Sequence, residues 1–231
     1  MTEEDKSFDP TWEEAIYGKG RHLNRYPYDS VVSFVFNYRP QEKSREATKI
    51  LEVGCGAGNN LWFAAREGFL VTGIDGSASA IAYAQQRFKQ EGLCGDLRVG
   101  DFTALPFESD SFDLVVDRCA ITHTGWSSGQ KAVAEIHRVL RNGGRFHFNA
   151  FSERHSSYGS GRPGPDDVTI DISAGTLVGV GQTCFYSRRA IYELFADGWN
   201  LLSLQHLEDV EMIQPQFLVL AQWLVIAEKR T

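Results

Sequence analysis

Three glycines at alternate positions, Gly54, Gly56 and Gly58, close the apolar run KILEV, and one acid, Glu52, stands just ahead of them. Glycine lets the backbone turn tightly and lets a ligand approach closer than a Cβ would permit. A helix expected over 58–67 would then aim its unpaired N–H groups at whatever rests on the turn. That is the chemistry of a cofactor cradle. Two more acids end later apolar runs: Asp75 in VTGID, and Asp101 in VGDFTALPF, where Phe102 follows it. A carboxylate in the first place can accept both hydroxyls of a ribose. In the second it can accept an adenine amino proton while the aromatic ring packs on the base. Each has a plainer use as well, Asp75 as a helix cap and Asp101 as a turn cap.

The nicotinamide fingerprint GxGxxG is not met, because Asn59 stands where its last glycine belongs. An acidic turn with few cations is also a poor seat for a diphosphate. Groups able to move a proton lie further on: His123 in CAITHTGW, His147 beside Asn149 in the fifth apolar run, then His155 and Tyr158. All four fall near the carboxyl edge where open α/β sheets bind ligands, and are candidates to touch substrate. His137 and His206 are expected to be structural.

These residues need elements to hold them. From Lys49 onward strand and helix alternate, with strands expected near 49–53, 70–75, 96–100, 112–117 and 144–150 and helices near 58–67, 77–91 and 128–140. Residues 152–183 are rich in Ser, Gly, Pro and Asp without a sustained period, and read as a substrate-side insertion. Ser187 caps a further helix, and two strands near 200–210 and 217–228, linked around Pro215, can only pair antiparallel. That places a reversed strand at the sheet's edge. The fold expected is α/β, a Rossmann-like doubly wound, seven-stranded, mostly parallel sheet with a C-terminal antiparallel hairpin. Ahead of it, residues 1–48 hold a capping-box pattern at Thr11 and Glu14 and a helix over 31–38. This N-terminal segment is expected to form a lid, with Tyr17 and Arg25 closing over the cofactor, on a domain spanning 49–231.

A chain of 231 residues with net charge −7 fits one domain with elaborations and argues against a nucleic-acid groove. The four cysteines form no CxxC pair, and neither HExxH nor a carboxylate cluster occurs, so no metal site or disulfide framework is expected. The strongest apolar run, 217–227, is broken by Gln222 and far short of a membrane span. A cytoplasmic monomer or homodimer, with no membrane partner, is expected.

Five segments, LEVGCGAG (51–58), GID (73–75), GDFTALPF (100–107), FDLVVDR (112–118) and EIHRVLRNGG (135–144), follow one another in an order that resembles the class I S-adenosylmethionine-dependent methyltransferases, especially their small-molecule group. The resemblance covers residues 49–150. It implies S-adenosylmethionine as cofactor, its methionine part on Glu52, Gly54 and Gly56, its ribose on Asp75, and its adenine on Gly76, Asp101 and Phe102. Backbone contacts are implied at Arg118. The activity implied is methyl transfer by direct displacement to a small-molecule acceptor, oxygen or nitrogen ahead of carbon, with His123 as first choice for a base. The alternative is a cofactor-binding module without catalysis. A nicotinamide oxidoreductase is disfavoured by Asn59. Methylation of nucleic acid is disfavoured because DRCAITH stands where base-modifying members often carry Asn/Asp-Pro-Pro-aromatic.

Overall fold

Every position from 50 to 53 and from 112 to 117 is buried, a condition met in the middle of a sheet covered on both faces. The computed structural model, which describes residues 8–213 and 218–230, places them there. The strands are β1 (Lys49–Val53), β2 (Leu70–Asp75), β3 (Asp96–Val99), β4 (Phe112–Arg118), β5 (Leu140–Phe151), β6 (Arg162–Pro163), β7 (Val168–Ile170), β8 (Thr183–Cys184), β9 (Trp199–Val210) and β10 (Val219–Lys229). Seven of them form one sheet in the order β3-β2-β1-β4-β5-β10-β9. The pairs from β3 through to β5 are parallel, while β10 runs antiparallel to both β5 and β9.

Helices cover both faces. On one, α1 (Asp29–Tyr38), α2 (Asn59–Arg66) and α3 (Ala78–Gln90) pack Phe34, Leu61, Ile81 and Phe88 against Ile50 and Leu114. On the other, α4 (Trp126–Val139) and α5 (Arg188–Leu194) pack Ile136 and Ile191 against Leu51, Val115 and Phe148. Ser187 caps α5 by accepting from Ala190 N. A third, smaller cluster joins Ile16 of the N-terminal segment to Cys119, Phe151, Leu177 and Val180. It lies at the carboxyl edge of the sheet.

Several expectations need correction. The reversed strand is β10, one place in from the edge, and the edge itself is β9. Burial explains the order: β10 alternates buried Ala221, Trp223, Val225 and Ala227, whereas β9 is exposed along much of its length. The insertion is not irregular throughout, since β6, β7 and β8 make a small antiparallel sheet of their own. β5 begins at Leu140 and carries Asn142-Gly143-Gly144 within it, with a register shift against β4. The capping box at Thr11 does not form; its side chain makes no cap bond and the turn Trp12–Ile16 is π-helical. α1 packs on the sheet with α2. Pro215, in the β9–β10 link, lies outside the described residues.

The opposite end of the sheet is tied by one buried acid. Asp113 accepts from Lys49 N at 2.8 Å, from Lys43 Nζ at 2.5 Å and from Arg141 Nη1 at 2.6 Å. It thereby joins the start of β1, the segment before it and β5 at a point remote from the glycine turn. Asp113→Ala leaves two half-exposed cations and a strand N–H without their acceptor. We expect it to cost about 2 kcal/mol of folding stability, below the full cost of breaking a wholly buried pair because both cations keep access to water. Urea denaturation checks this as a lower midpoint at unchanged slope.

Candidate active site

Strand order reverses between β1 and β4, which opens a crevice outside their carboxyl ends. Val53 pairs with Asp117, so the glycine turn and the segment after β4 lie side by side. A Cβ on Gly54 would stand 2.0 Å from Ala120 Cβ, and one on Gly56 would stand 2.3 Å from Tyr17 Oη; both glycines also have positive φ. No other residue fits either place without moving its neighbours. A cavity of about 290 Å³ opens over the turn. Glu52, Gly54, Gly56, Asp75, Gly76 and Phe102 line it, and Trp12, His123, Phe151, Leu177 and Leu220 line it too. β2 and β3 lie on one side of β1, β4, β5 and β10 on the other. The lining therefore has a half nearer Asp75 and Phe102 and a half nearer His123 and Leu220.

The acids of this edge are buried, and burial sets their chemistry. Asp75 Oδ2 accepts from Gly56 N and Oδ1 from Ser77 N, each at 2.8 Å, so the carboxylate clamps the glycine turn to the start of α3. Burial outweighs these bonds and pushes its pKa to about 6. Glu52 Oε1 accepts from Asn60 Nδ2 at 2.7 Å, but its buried Oε2 has no partner among the described residues. Burial raises Glu52 to about 8. Asp117 Oδ1 accepts from Ala120 N and Ile121 N, shaping the loop that rests on Gly54, and burial raises it to about 7. A positive charge brought among such acids makes their ionisation less costly. The orphan oxygen of Glu52, beside a turn where a Cβ would fill the space, fits a compact cationic group and not a phosphate.

His123 lines the cavity, buried at 7% exposure. Its Nδ1 lies 3.0 Å from the Gln182 carbonyl, which can only accept, so Nδ1 carries the hydrogen and Nε2 keeps a lone pair. Burial lowers its pKa to about 4 and keeps the ring neutral. Trp12 stands edge-on to it, ring centres 4.9 Å apart. The other proton carriers stay out of the cavity lining. His147 is fully buried midway along β5, with Nδ1 at 3.2 Å from the Asp117 carbonyl and its ring on Phe34. His155 uses both nitrogens on its own loop, accepting from Ser157 N and meeting Thr176 Oγ1. Tyr158 is half-exposed against Phe185. Asp101 is exposed and outside the lining, its Oδ1 accepting from Thr103 N and Oγ1, while Phe102 beside it does line the cavity. Arg25 is exposed and outside it too.

The N-terminal segment crosses the cavity and is tied down on both sides. Glu13 accepts from Ser77 Oγ, and from Ser79 N and Oγ, at the start of α3. Asp9 Oδ2 accepts from Gln182 N in the insertion at 2.8 Å. Further along, Asn59 Nδ2 donates to the Tyr26 carbonyl and Asn60 Oδ1 accepts from Tyr28 N. Asn59, the residue that breaks the nicotinamide fingerprint, thus fastens this segment to the turn. The sequence reading missed Phe8, Trp12, Asn60, Leu177 and Leu220. Only Asn60 had a local signal, a second amide in the helix facing the acid of the preceding strand.

The methyltransferase domain family model matches residues 50–144. A protein of Geobacillus sp. (strain WCH70) named a methyltransferase is 32% identical over 150 residues, 64% of this chain and 59% of that protein. Sarcosine/dimethylglycine N-methyltransferase of Aphanothece halophytica is 34% identical over 52% of this chain and 44% of its own length. Botryococcene C-methyltransferase of Botryococcus braunii is 36% identical over 42% of this chain and 26% of its own length. The chain spans between about a quarter and three-fifths of the length of these relatives. An S-adenosylmethionine-dependent methyltransferase of Methanosarcina mazei shares the fold at TM-score 0.70 and 20% identity, over 89% of this chain and 99% of that one. The matched segment, residues 50–144, supplies the strands and turns on which the cavity rests, and over that part the chain is similar to methyltransferase domains.

Proposed function

We propose that this chain transfers the methyl group of S-adenosylmethionine to a small molecule, at oxygen or nitrogen. The observation that carries the reading is the cradle itself: a Cβ-intolerant turn flanked by Glu52, with its orphan buried oxygen, and by Asp75. A sulfonium and an ammonium suit that environment. In this reading Glu52, Gly54 and Gly56 hold the methionine end and Asp75 the ribose. Gly76 and Phe102 flank the adenine. Phe8 packs on Gly76 and serves as a further wall there. Asp101, which caps its own turn, contributes through the position of Phe102. Backbone at the end of β4, at Arg118, completes the cradle, and residues 8–28 with Tyr17 are its lid.

The cofactor supplies an electrophilic methyl carbon on sulfur. The chain's share of the chemistry is placement, because a displacement needs the acceptor lone pair in line with that carbon at about 3 Å. Methyl transfer to an O–H or N–H acceptor would also require that acceptor to lose its proton to a group of the chain or to solvent. His123 is equipped to orient this event. Its neutral ring offers Nε2 as an acceptor to an O–H or N–H, and takes the proton only as positive charge builds on the acceptor. This favours oxygen or nitrogen over carbon. Trp12 and Phe151 keep water from the same space.

Isothermal titration should show binding of S-adenosylhomocysteine, and its absence would remove the reading. Asp75→Ala should weaken that binding about 10- to 100-fold, through loss of charge-assisted bonds to the ribose and of the clamp on Gly56. The pKa values near 6 and 8 of Asp75 and Glu52 also set a pH dependence. Their folded values exceed the ordinary carboxylate range, so the free protein holds protons that the unfolded chain has lost. Its stability should therefore fall as pH rises from about 4 to 8. A cationic cofactor reverses the preference, so affinity for S-adenosylmethionine should rise over the same span with release of protons. Titrations in buffers of different ionisation enthalpy measure that release. For His123, long-range ¹H–¹⁵N NMR should find the Nδ1-protonated tautomer and a titration midpoint below the ordinary histidine range, near 4.

A further inference from the structure

Two cavities meet at the end of β4. The one over the glycine turn and a groove of about 620 Å³ between α1 and the β9–β10 hairpin share Tyr28, Arg118, Leu220 and Gln222. Among the described residues, Arg118 is the one lysine or arginine lining either space. Its guanidinium lies 4.1 Å from the centre of the Tyr28 ring, and Nη1 meets Cys119 Sγ at 2.7 Å. It forms no ion pair with a carboxylate among the described residues, although its charge eases the burial of Glu52 and Asp117.

The stack is held ready. Tyr28 donates its N–H to Asn60 Oδ1 and its Oη accepts from Asn24 Nδ2, both at 3.0 Å. With its Cζ over the ring face and Nη1 on Cys119, the guanidinium still has Nε–H and Nη2–H donors with which to bind a carboxylate. Gln222 stands beside it. Its Oε1 accepts from Asn149 Nδ2 at 3.3 Å, while its amide NH₂ has no partner among the described residues. Both donors belong to the half of the cavity away from Asp75 and Phe102, since β4 and β10 lie across β1 from β2 and β3. The apolar part of the cavity wall is made by Trp12, Phe151, Leu177 and Leu220, with His123, Thr124 and Thr176 also in the lining. The groove beyond carries Asp29, Glu208 and Asp209, which repel an anion and keep it at the mouth.

We propose that the methyl acceptor is a small amphipathic carboxylate, its carboxylate held at this mouth by Arg118 and Gln222 and its apolar body lying against Trp12, Phe151 and Leu177. The proposal rests on the methyltransferase reading and specifies its substrate class. One guanidinium among several acids balances a single negative charge, which selects a carboxylate over a dianionic phosphate. The Arg118 side chain is thereby given to the acceptor, while its backbone stays with the cofactor.

The test uses full-length protein saturated with S-adenosylhomocysteine and titrated with phenylacetate, 3-phenylpropanoate and hexanoate, each against its primary amide. The acids should bind about 10-fold tighter than the matched amides, the usual worth of a charge-assisted pair. Arg118→Met should remove that preference, and Arg118→Lys should keep part of it, which also covers a Met variant that fails to fold. Equal binding of acids and amides, binding of none of them, or a preference that survives in Arg118→Met overturns the proposal. So does an Arg118→Met variant that loses affinity for S-adenosylhomocysteine while keeping the acid preference, because the guanidinium would then serve the cofactor. Failure of S-adenosylhomocysteine to bind the unaltered protein overturns the methyltransferase reading beneath it. Cofactor binding without acid preference overturns this proposal alone.

Discussion

The carboxyl edge of this protein depends on the close approach of the β1 turn to the segment after β4. Gly54 lies where a single methyl group would collide with Ala120, and Asp75 reaches across from β2 to hold Gly56 N–H. These contacts fix three strand ends relative to one another. They also bury carboxylates, and a buried carboxylate is stable only if it is hydrogen-bonded, protonated or given a cation. Asp75 is bonded by backbone N–H groups on both oxygens; Asp117 and Glu52 are each bonded on one oxygen and have no partner on the other among the described residues. The edge is thus built to be completed by positive charge.

Around this point the other parts divide the work. The parallel strands set the crevice, because the reversal of strand order at β1 and β4 sends α2 and α4 to opposite faces and leaves the ends between them uncovered. The N-terminal segment and the insertion cover those ends, each tied by an acid to a neighbouring backbone: Glu13 to the start of α3, Asp9 to Gln182. The cover is therefore held by polar bonds at its margins and by a small apolar cluster at its centre, around Ile16, Phe151 and Leu177. The histidines follow the same logic of burial. Each of His123, His147 and His155 has a pKa lowered by burial, yet only His123 keeps a nitrogen free on the cavity wall.

Much of the main sheet was legible in the chain. Five apolar runs, each ending in a glycine turn, an acid or a polar loop, specify buried parallel strands because only such strands tolerate apolar residues at successive positions. Gly54, Gly56 and Asp75 were legible for a related reason: a tight turn at the end of a buried strand restricts which residues fit. Local spacing said less about the cover. Thr11 and Glu14 had the pattern of a capping box, but the acid that binds a helix end is Glu13, and the helix is α3, distant in sequence. Asp101 and Phe102 looked like a pair; in the fold the chain turns between them, so that the ring lines the cavity and the carboxylate caps its own loop.

By itself, then, the sequence determined the alternation of strand and helix, the parallel core and the glycine turn at its carboxyl edge. These are encoded by hydrophobic period and by residues whose backbone demands are local. Only the tertiary structure decided that β10 inserts between β5 and β9, that Asn59 and Asn60 fasten the N-terminal segment, and that His123, rather than His147 or His155, lines the cavity. It also decided that Arg118 lies over the Tyr28 ring where two cavities join, with no carboxylate ion pair among the described residues. Each of these depends on contacts between residues far apart in the chain, and no local pattern records which distant partner a buried polar group will find.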